Sequence, residues 1–156
     1  KRPASSPVFF VSVLHLQYIT LCFTYFYNIY DANISFRIDY DKSMTVEHIE
    51  FSPDGNYMAV IIDNFHNHHE FFLYVYETEA YNLKFEKHIH NGSYKINESI
   101  IFTADSKYIV LCQTKTQNTE LVFLSVEVGE IKKSFVSNGS IGEVVISNDY
   151  KKVLSV

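Results

Sequence analysis

A short pattern that returns along the chain constrains its fold more than any other feature. Residues 51–57 read FSPDGNY, and they align with residues 102–108, FTADSKY, and in weaker form with residues 146–152, ISNDYKK. Each copy has an apolar residue, a hydroxyl residue, a variable residue and an Asp, and a short apolar stretch follows. The copies lie 51 and 44 residues apart, a spacing typical of a chain built from repeated units.

Two further sequence markers recur with a similar period. Residues 72–77 resemble residues 122–127, and residues 25–31 hold an earlier version. The tripeptide Asn-Gly-Ser occurs at Asn91 and again at Asn138, 47 residues later. Because three independent markers share one period, the sequence predicts a repeat architecture.

Each period predicts four β-strands. The chain contains 13 Phe and 12 Tyr, and its apolar residues favour the β-branched and aromatic types that are enriched in strands. The strands predicted in the two complete periods are 46–52, 57–63, 71–76 and 82–89, then 96–103, 108–114, 120–126 and 131–136. Since turn residues separate them and no helical stretch intervenes, each period should form an antiparallel four-stranded sheet.

This order of strands and turns resembles the WD40 class of β-propeller over most of the chain after about residue 20. In that family the third strand ends in Trp-Asp, and a further Asp precedes that strand. The matching pairs here are Tyr30-Asp31, Tyr76-Glu77 and Val126-Glu127, and Glu70, Glu120 and Thr24 hold the preceding place. The chain departs from the family in having no Trp and no Gly-His dipeptide. The resemblance implies an all-β fold of propeller blades.

The repeats divide the chain into an incomplete propeller of about three to four blades. We expect a tail at 1–7, a partial first blade at 8–43, a second blade at 44–90, a third at 91–137 and the start of a fourth at 138–156. Circular propellers contain four to eight blades, so this chain should not close a ring alone. Its end inside an apolar stretch favours a piece of a longer protein.

Residues 8–27 carry no formally charged side chain, which would suit a membrane-spanning helix. Polar residues such as Ser12, His15 and Gln17 interrupt the run, and apolar and polar residues alternate around them. This alternation favours two strands joined near residues 17–20. A membrane-anchored protein remains the alternative.

Charge and cysteine content favour an intracellular protein with no nucleic-acid partner. The net charge is −5, and the basic residues form no positive stripe that could follow phosphates. Cys22 and Cys112 lie in apolar surroundings without metal-binding spacing, so both are predicted to be reduced core residues in a cytoplasmic protein. Four Asn-x-Ser sequons, at Asn33, Asn91, Asn97 and Asn138, keep a secreted protein as the alternative.

The stretch NFHNHHE at 64–70 has the most chemical character. Its imidazoles and carboxylate could bind zinc or nickel. Their spacing is poor for a metal site, however, and they lie in a loop without a rigid frame. We therefore predict a polar loop that contacts a partner. The predicted contact residues are His66, Asn67, His68, His69 and Glu70. His88 and His90 lie on one strand face without a clustered third ligand.

No catalytic motif is present in the sequence. It has no G-x-S-x-G elbow and no phosphate-binding glycine loop, and Asp54, Asp105 and Asp149 occupy positions at which Asp shapes a turn. We therefore expect no catalytic residue, cofactor or metal. The expected function is a non-catalytic scaffold that binds other proteins within a larger assembly. The alternative is an accessory propeller of a larger prolyl-oligopeptidase-like hydrolase, because such propellers carry similar turns.

Overall fold

A computed structural model describes residues 9–13, 21–28, 34–41, 43–64, 70–90, 96–114, 118–138, 144–147 and 153–155. Within these ranges the regular structure consists of thirteen β-strands and no helix. The strands form four separate antiparallel sheets, in which each strand pairs with its neighbour in the sequence. The prediction of an all-β chain with antiparallel four-stranded sheets is confirmed.

The strands follow one another as four consecutive units. The first sheet contains β1 (Phe9–Val13), β2 (Leu21–Asn28) and β3 (Ile34–Asp41). The second contains β4 (Met44–Phe51), β5 (Tyr57–Asn64), β6 (Glu70–Glu77) and β7 (Leu83–His90). The third contains β8 (Ile96–Phe102), β9 (Tyr108–Thr114), β10 (Asn118–Ser125) and β11 (Ile131–Asn138), and the fourth contains β12 (Val144–Ile146) and β13 (Val153–Ser155). In the second and third sheets, each end differs from its predicted position by two residues at most.

The three copies of the opening turn join the first and second strands of their sheets in one register. Phe51 pairs with Met58, Phe102 with Ile109, and Ile146 with Val153, so the same seven-residue step separates the partners each time. The weakest copy of the turn therefore lies between two strands that pair in the same register as in the other two sheets.

The predicted match at the end of the third strand is wrong by two residues. Tyr57 pairs with Glu77, whereas Tyr108 pairs with Ser125, so Ser125 holds the place that was assigned to Glu127. Backbone hydrogen bonds fix this register, and Val126-Glu127 lies in the turn beyond β10. An exposed acidic residue near a strand end does not determine the register, because it is compatible both with the last position of the strand and with the turn that follows.

The hydrophobic core lies between successive sheets. In β5, Ala59 and Ile61 pack towards the third sheet, and the alternate residues Met58, Val60 and Ile62 pack towards the first. This strand is buried on both faces because the second sheet lies between two others. The larger cluster, shared by the second and third sheets, contains Ala59, Ile61, Phe71, Leu73, Val75, Ile89, Ile100, Phe102, Ile109, Leu111, Val122, Leu124 and Val126.

A turn residue with positive φ contacts the preceding sheet at two successive interfaces. Tyr81 (φ 52°) precedes β7, and its ring stacks on Phe36 of β3 with centroids 4.5 Å apart. Gly129 (φ 67°) precedes β11 and lies directly against the ring of Phe85 on β7. Phe36 in the first sheet and Phe85 in the second hold equivalent positions beside a β-bulge. Lys133 occupies the same position in the third sheet.

Tyr76, which is buried between the first and second sheets, should make the free energy of unfolding depend on pH in the alkaline range. Burial, followed by the charges of Tyr74 and Glu86, raises the pKa of Tyr76 to about 12. Because an unfolded tyrosine ionises near pH 10, the stabilisation is complete below about pH 10 and is lost as pH rises towards about 12. Tyr76→Phe should therefore lose less unfolding free energy between pH 8 and pH 11 than the parent, measured by urea unfolding. Equal losses in the two proteins would contradict this account.

The run at 8–27 contains strands where the structure describes it. Its described parts contribute β1 and β2, which pair antiparallel from Phe9 with Asn28 to Val13 with Thr24. The expected connection near residues 17–20 lies outside the described residues. In the described part of the chain, no helix is long and apolar enough to cross a membrane.

Candidate functional site

The first copy of the repeated turn is held by its own side chains. The amide of Gly55 donates to the Ser52 carbonyl at 2.8 Å, closing the turn, and the Ser52 hydroxyl donates to Asp54 Oδ1 at 2.6 Å. The same hydroxyl accepts the Tyr57 amide at 2.9 Å, while Asn56 donates its amide to Asp54 at 3.0 Å. Ser and Asp at this spacing therefore satisfy the backbone of the turn, as predicted.

The second copy repeats these contacts with different residues. Thr103 Oγ1 donates to Asp105 Oδ1 at 2.7 Å and accepts the Tyr108 amide at 3.1 Å. The Ser106 amide closes the turn on the Thr103 carbonyl at 2.8 Å. Asp105 thus has the same structural role as Asp54.

A hydrogen bond joins the two turns across the sheet interface. The backbone amide of Asp54 donates to the Ser106 hydroxyl at 3.2 Å. Ser106 stands at the position of Gly55 in the first copy, has φ 55° and is only 5% exposed. A non-glycine residue in the left-handed region costs free energy, and the inter-sheet hydrogen bond offsets that cost.

Two substitutions at Ser106 separate these effects. Ser106→Ala keeps the unfavourable backbone conformation and leaves the Asp54 amide without this acceptor, so it should lower the unfolding free energy by about 1 kcal/mol. Ser106→Gly loses the same bond but relieves roughly 1 kcal/mol of backbone strain, so it should be nearly neutral. Urea unfolding measures the stability of both variants. A glycine variant less stable than the alanine variant would show that the hydrogen bond does not offset backbone strain at this position.

The two turn carboxylates are ionised at neutral pH. Partial burial alone would raise the pKa of Asp54, but hydrogen bonds from Ser52, Asn56 and Ser106 together lower it. The Thr103 hydroxyl is the largest cause that lowers the pKa of Asp105. Neither carboxyl group therefore retains a proton that a general acid would donate near neutral pH.

The turns and the adjacent strand ends line a cavity of about 390 Å³, here called the turn groove. Its walls carry both signs of charge, with Lys107 72% exposed and Glu127 79% exposed, beside the half-buried rings of Tyr57 and Tyr108. Its lining residues are Asp54, Tyr57, Asp105, Ser106, Lys107, Tyr108, Ser125, Val126, Glu127 and Lys132. Tyrosine is a residue type enriched at protein interfaces, whereas exposed lysines and carboxylates are typical of the polar rim of such interfaces.

Lys84 ties the second and third sheets together at this groove. Its Nζ lies 3.5 Å from Glu77 Oε1, 4.0 Å from Glu127 Oε2 and 5.4 Å from the centre of the Tyr57 ring. Glu127 lies in the turn that follows β10 of the third sheet, and the other three residues belong to the second sheet. The contact positions the groove wall, since the Lys84 side chain is only 16% exposed.

A larger cavity of about 800 Å³ opens beside the groove, on the face of the third sheet that points away from the second. Phe123 and Phe135 meet edge to face there, with ring centroids 6.0 Å apart. Lys133 Nζ lies 5.0 Å from the centre of the Phe135 ring. We call this surface, formed by Tyr108, Phe123, Lys132, Lys133 and Phe135, the aromatic-lysine face.

The predicted partner-binding loop lies mostly beyond the described residues. His66, Asn67, His68 and His69 are outside them, and Glu70 begins β6 opposite Asn64. His88 is exposed and its ring lies 5.0 Å from that of Phe72. Among the described residues, no three His, Cys, Asp or Glu side chains cluster as metal ligands. Asn64 and Glu70 lie at the end of β5 and β6 opposite to Tyr57, which lines the turn groove.

The sequence alone does not predict the turn groove, because the role of its residues in forming the turns already explains them. The signal lay in the repeat itself, since adjacent copies of one turn in neighbouring sheets must lie side by side. The predicted core position of Cys112 is confirmed, because the side chain is buried with a free thiol, and burial raises the pKa of that thiol.

Comparisons with known proteins support the fold. No family model matches the sequence, and no curated protein matches it. The structure is similar to the β-propeller domain of the Trilobed protease from Pyrococcus furiosus, with TM-score 0.59, 15% identity, and coverage of 85% of this chain and 39% of that one. It is also similar to the Dos1 propeller, with TM-score 0.58, 17% identity, and coverage of 87% and 37%.

A third similar structure is the acylaminoacyl peptidase of Pyrococcus horikoshii, with TM-score 0.51, 12% identity, and coverage of 84% of this chain and 25% of that one. This chain thus spans well under half the length of each of these structures. At these identities the likeness concerns the fold alone. The antiparallel sheets, their repeated register and these likenesses identify the chain as part of a β-propeller.

Proposed function

We propose that this chain is a non-catalytic, WD40-like propeller segment that binds another protein as a scaffold within a larger assembly. The turn groove carries the proposal, because it presents exposed charges and tyrosines on a surface whose backbone is fixed by repeated hydrogen bonds. A rigid groove loses little conformational entropy on binding, which favours recognition. The loop at 66–70 remains a second proposed contact for the same partner.

An intracellular location is part of this proposal. Cys112 supports it, since a buried free thiol suits a reducing compartment. The protein is proposed to bind neither nucleic acid nor a membrane surface, because its net charge is −5 and its lysines lie beside carboxylates in the groove.

Affinity purification of the full-length protein from its native cells, with quantitative mass spectrometry, tests the groove. The variant Lys107→Glu/Lys132→Glu reverses two exposed charges there, whereas Glu79→Lys reverses an exposed charge outside the groove lining. We expect specific partners to be depleted at least tenfold by the double variant and kept by the control. Identical partner sets for all three proteins would overturn the groove as a binding surface.

The second candidate is an accessory propeller of a hydrolase. The observation that favours it is the likeness to the propeller domain of a protease and to an acylaminoacyl peptidase. A fluorophosphonate probe that labels active-site serines distinguishes the two proposals in the full-length protein. Labelling that is abolished by heat denaturation would favour the hydrolase, and its absence would favour the scaffold.

A further inference from the structure

Two asparagines form the last pair of the ladder between β10 and β11. Asn118 begins β10, Asn138 ends β11, and the two residues lie opposite each other. Both side chains are exposed. They differ in the residue that comes next in the sequence, which is Thr119 in one case and Gly139 in the other. The pair therefore places the same exposed side chain in two backbone contexts.

The residue after an asparagine matters because its backbone nitrogen can attack the side-chain amide carbon. The attack closes a five-membered ring and requires the main chain to rotate into a suitable conformation. Glycine, which has no Cβ, allows this rotation and the close approach at little steric cost. A β-branched residue crowds the same approach. An exposed Asn-Gly dipeptide at the end of a strand is therefore suited to ring closure.

The nitrogen that would attack Asn118 is held within the sheet. Thr119 is fully buried, and it pairs with Thr114 of β9 on one side and with Ser137 of β11 on the other. A peptide group in the interior of a ladder cannot rotate without breaking hydrogen bonds. Asn118 thus has the exposure that the reaction needs but not the mobile nucleophile.

Asn56 in the first turn is held in a different way. Its side-chain amide donates to Asp54 Oδ2 at 3.0 Å, and the nitrogen that would attack it, the Tyr57 amide, donates to the Ser52 hydroxyl at 2.9 Å. Both reacting groups are therefore fixed by hydrogen bonds. Asn138, by contrast, ends a strand that forms the edge of its sheet in the described part of the chain. Strand ends at a sheet edge open more readily than strand interiors.

We propose that Asn138 is a site of spontaneous modification, at which the asparagine becomes aspartate or isoaspartate as the protein ages. The Gly139 nitrogen loses its proton and forms a bond to Asn138 Cγ. The bond from Cγ to Nδ2 breaks, and ammonia leaves with that proton. Water then opens the cyclic imide at Cγ to give isoaspartate's isomer, aspartate, or at the main-chain carbonyl carbon to give isoaspartate. No oxidation or reduction is involved.

The modification changes charge and backbone at the junction between two sheets. Both products carry a carboxylate in place of a neutral amide. Isoaspartate also adds one carbon atom to the main chain between β11 of the third sheet and β12 of the fourth. Its carbonyl group is displaced along the chain, so the isoaspartate form should pair less well with Asn118.

Peptide mapping by mass spectrometry of the folded 156-residue chain, kept for days at neutral pH, tests the proposal. Conversion should be at least about tenfold faster at Asn138 than at Asn118. An isoaspartyl methyltransferase with labelled S-adenosylmethionine should label the fragment that contains residue 138, because isoaspartate presents a free α-carboxylate. Equal rates at the two asparagines would overturn the proposal. The same dipeptide at Asn91 lies outside the described residues and is measured on a separate fragment.

Two variants and two conditions test the mechanism. Gly139→Ala hinders the approach of the nitrogen, and Asn138→Gln would need a larger ring, so both should abolish most of the conversion at residue 138. The rate at Asn138 should rise from about pH 6 to about pH 8, because the attacking nitrogen must lose its proton; a flat profile would contradict this attack. If Asn138 converts in urea but not in the folded chain, the strand protects it and the proposal fails.

Discussion

Leu73→Ala should lower the free energy of unfolding by about 3 kcal/mol. Leu73 is fully buried in β6, in the cluster shared by the second and third sheets. Removing a buried leucine side chain loses its transfer free energy and leaves a cavity, which costs about 2–5 kcal/mol in well-packed cores. Two sheets line this site, so it cannot collapse without moving one against the other.

Leu83→Ala provides the matched control. Leu83 lies on β7 of the same sheet but is 48% exposed, so its truncation should change stability by less than about 1 kcal/mol. Urea unfolding followed by circular dichroism measures both variants. If Leu73→Ala and Leu83→Ala have equal costs, the second and third sheets do not share a packed core.

Gly129→Ala should cost about 2–4 kcal/mol, for two reasons. Gly129 has φ +67°, a conformation in which an L side chain costs about 1 kcal/mol. A Cβ at this position would also lie 2.8 Å from Phe85 Cδ2, closer than van der Waals contact allows, and such overpacking costs about 1–3 kcal/mol.

A double-mutant cycle separates the two reasons. In a Phe85→Leu background the ring is gone, so Gly129→Ala should cost only about 1 kcal/mol for its backbone conformation. Urea unfolding of the four proteins gives the coupling free energy. A coupling near zero would show that the Phe85 ring does not limit space at Gly129.

Much of the fold was predictable because turn chemistry and strand periodicity are local. The hydroxyl and Asp of residues 51–57 returned at 102–108, and the structure holds both turns by the same hydrogen bonds. Turn residues and alternating apolar residues also predicted the ends of the strands to within two residues in the second and third sheets. Such features depend on neighbours in the sequence, and a repeat supplies them more than once.

Features that depend on contacts between sheets were not predictable in the same way. The position of Ser125 opposite Tyr108 follows from ladder hydrogen bonds, and the acidic residues suggested a different match. The hydrogen bond from the Asp54 amide to the Ser106 hydroxyl joins residues in different repeats, and neither residue type predicts it. The turn groove depends on that proximity, so the sequence did not identify it. The loop at 66–70 remains a prediction.

The contact between a turn residue and the preceding sheet prevents the repeats from being interchangeable modules. At this one position Tyr81 supplies a ring that stacks on Phe36, whereas Gly129 leaves its space to Phe85. A chimera with two successive copies of residues 44–90 would place a second tyrosine against Phe85, so the Phe85 ring would have to leave the space beside Gly129 and stack as Phe36 does on Tyr81. A protein engineer who lengthens or permutes this chain must therefore match the turn residue to the position of the facing ring, across the boundary between units.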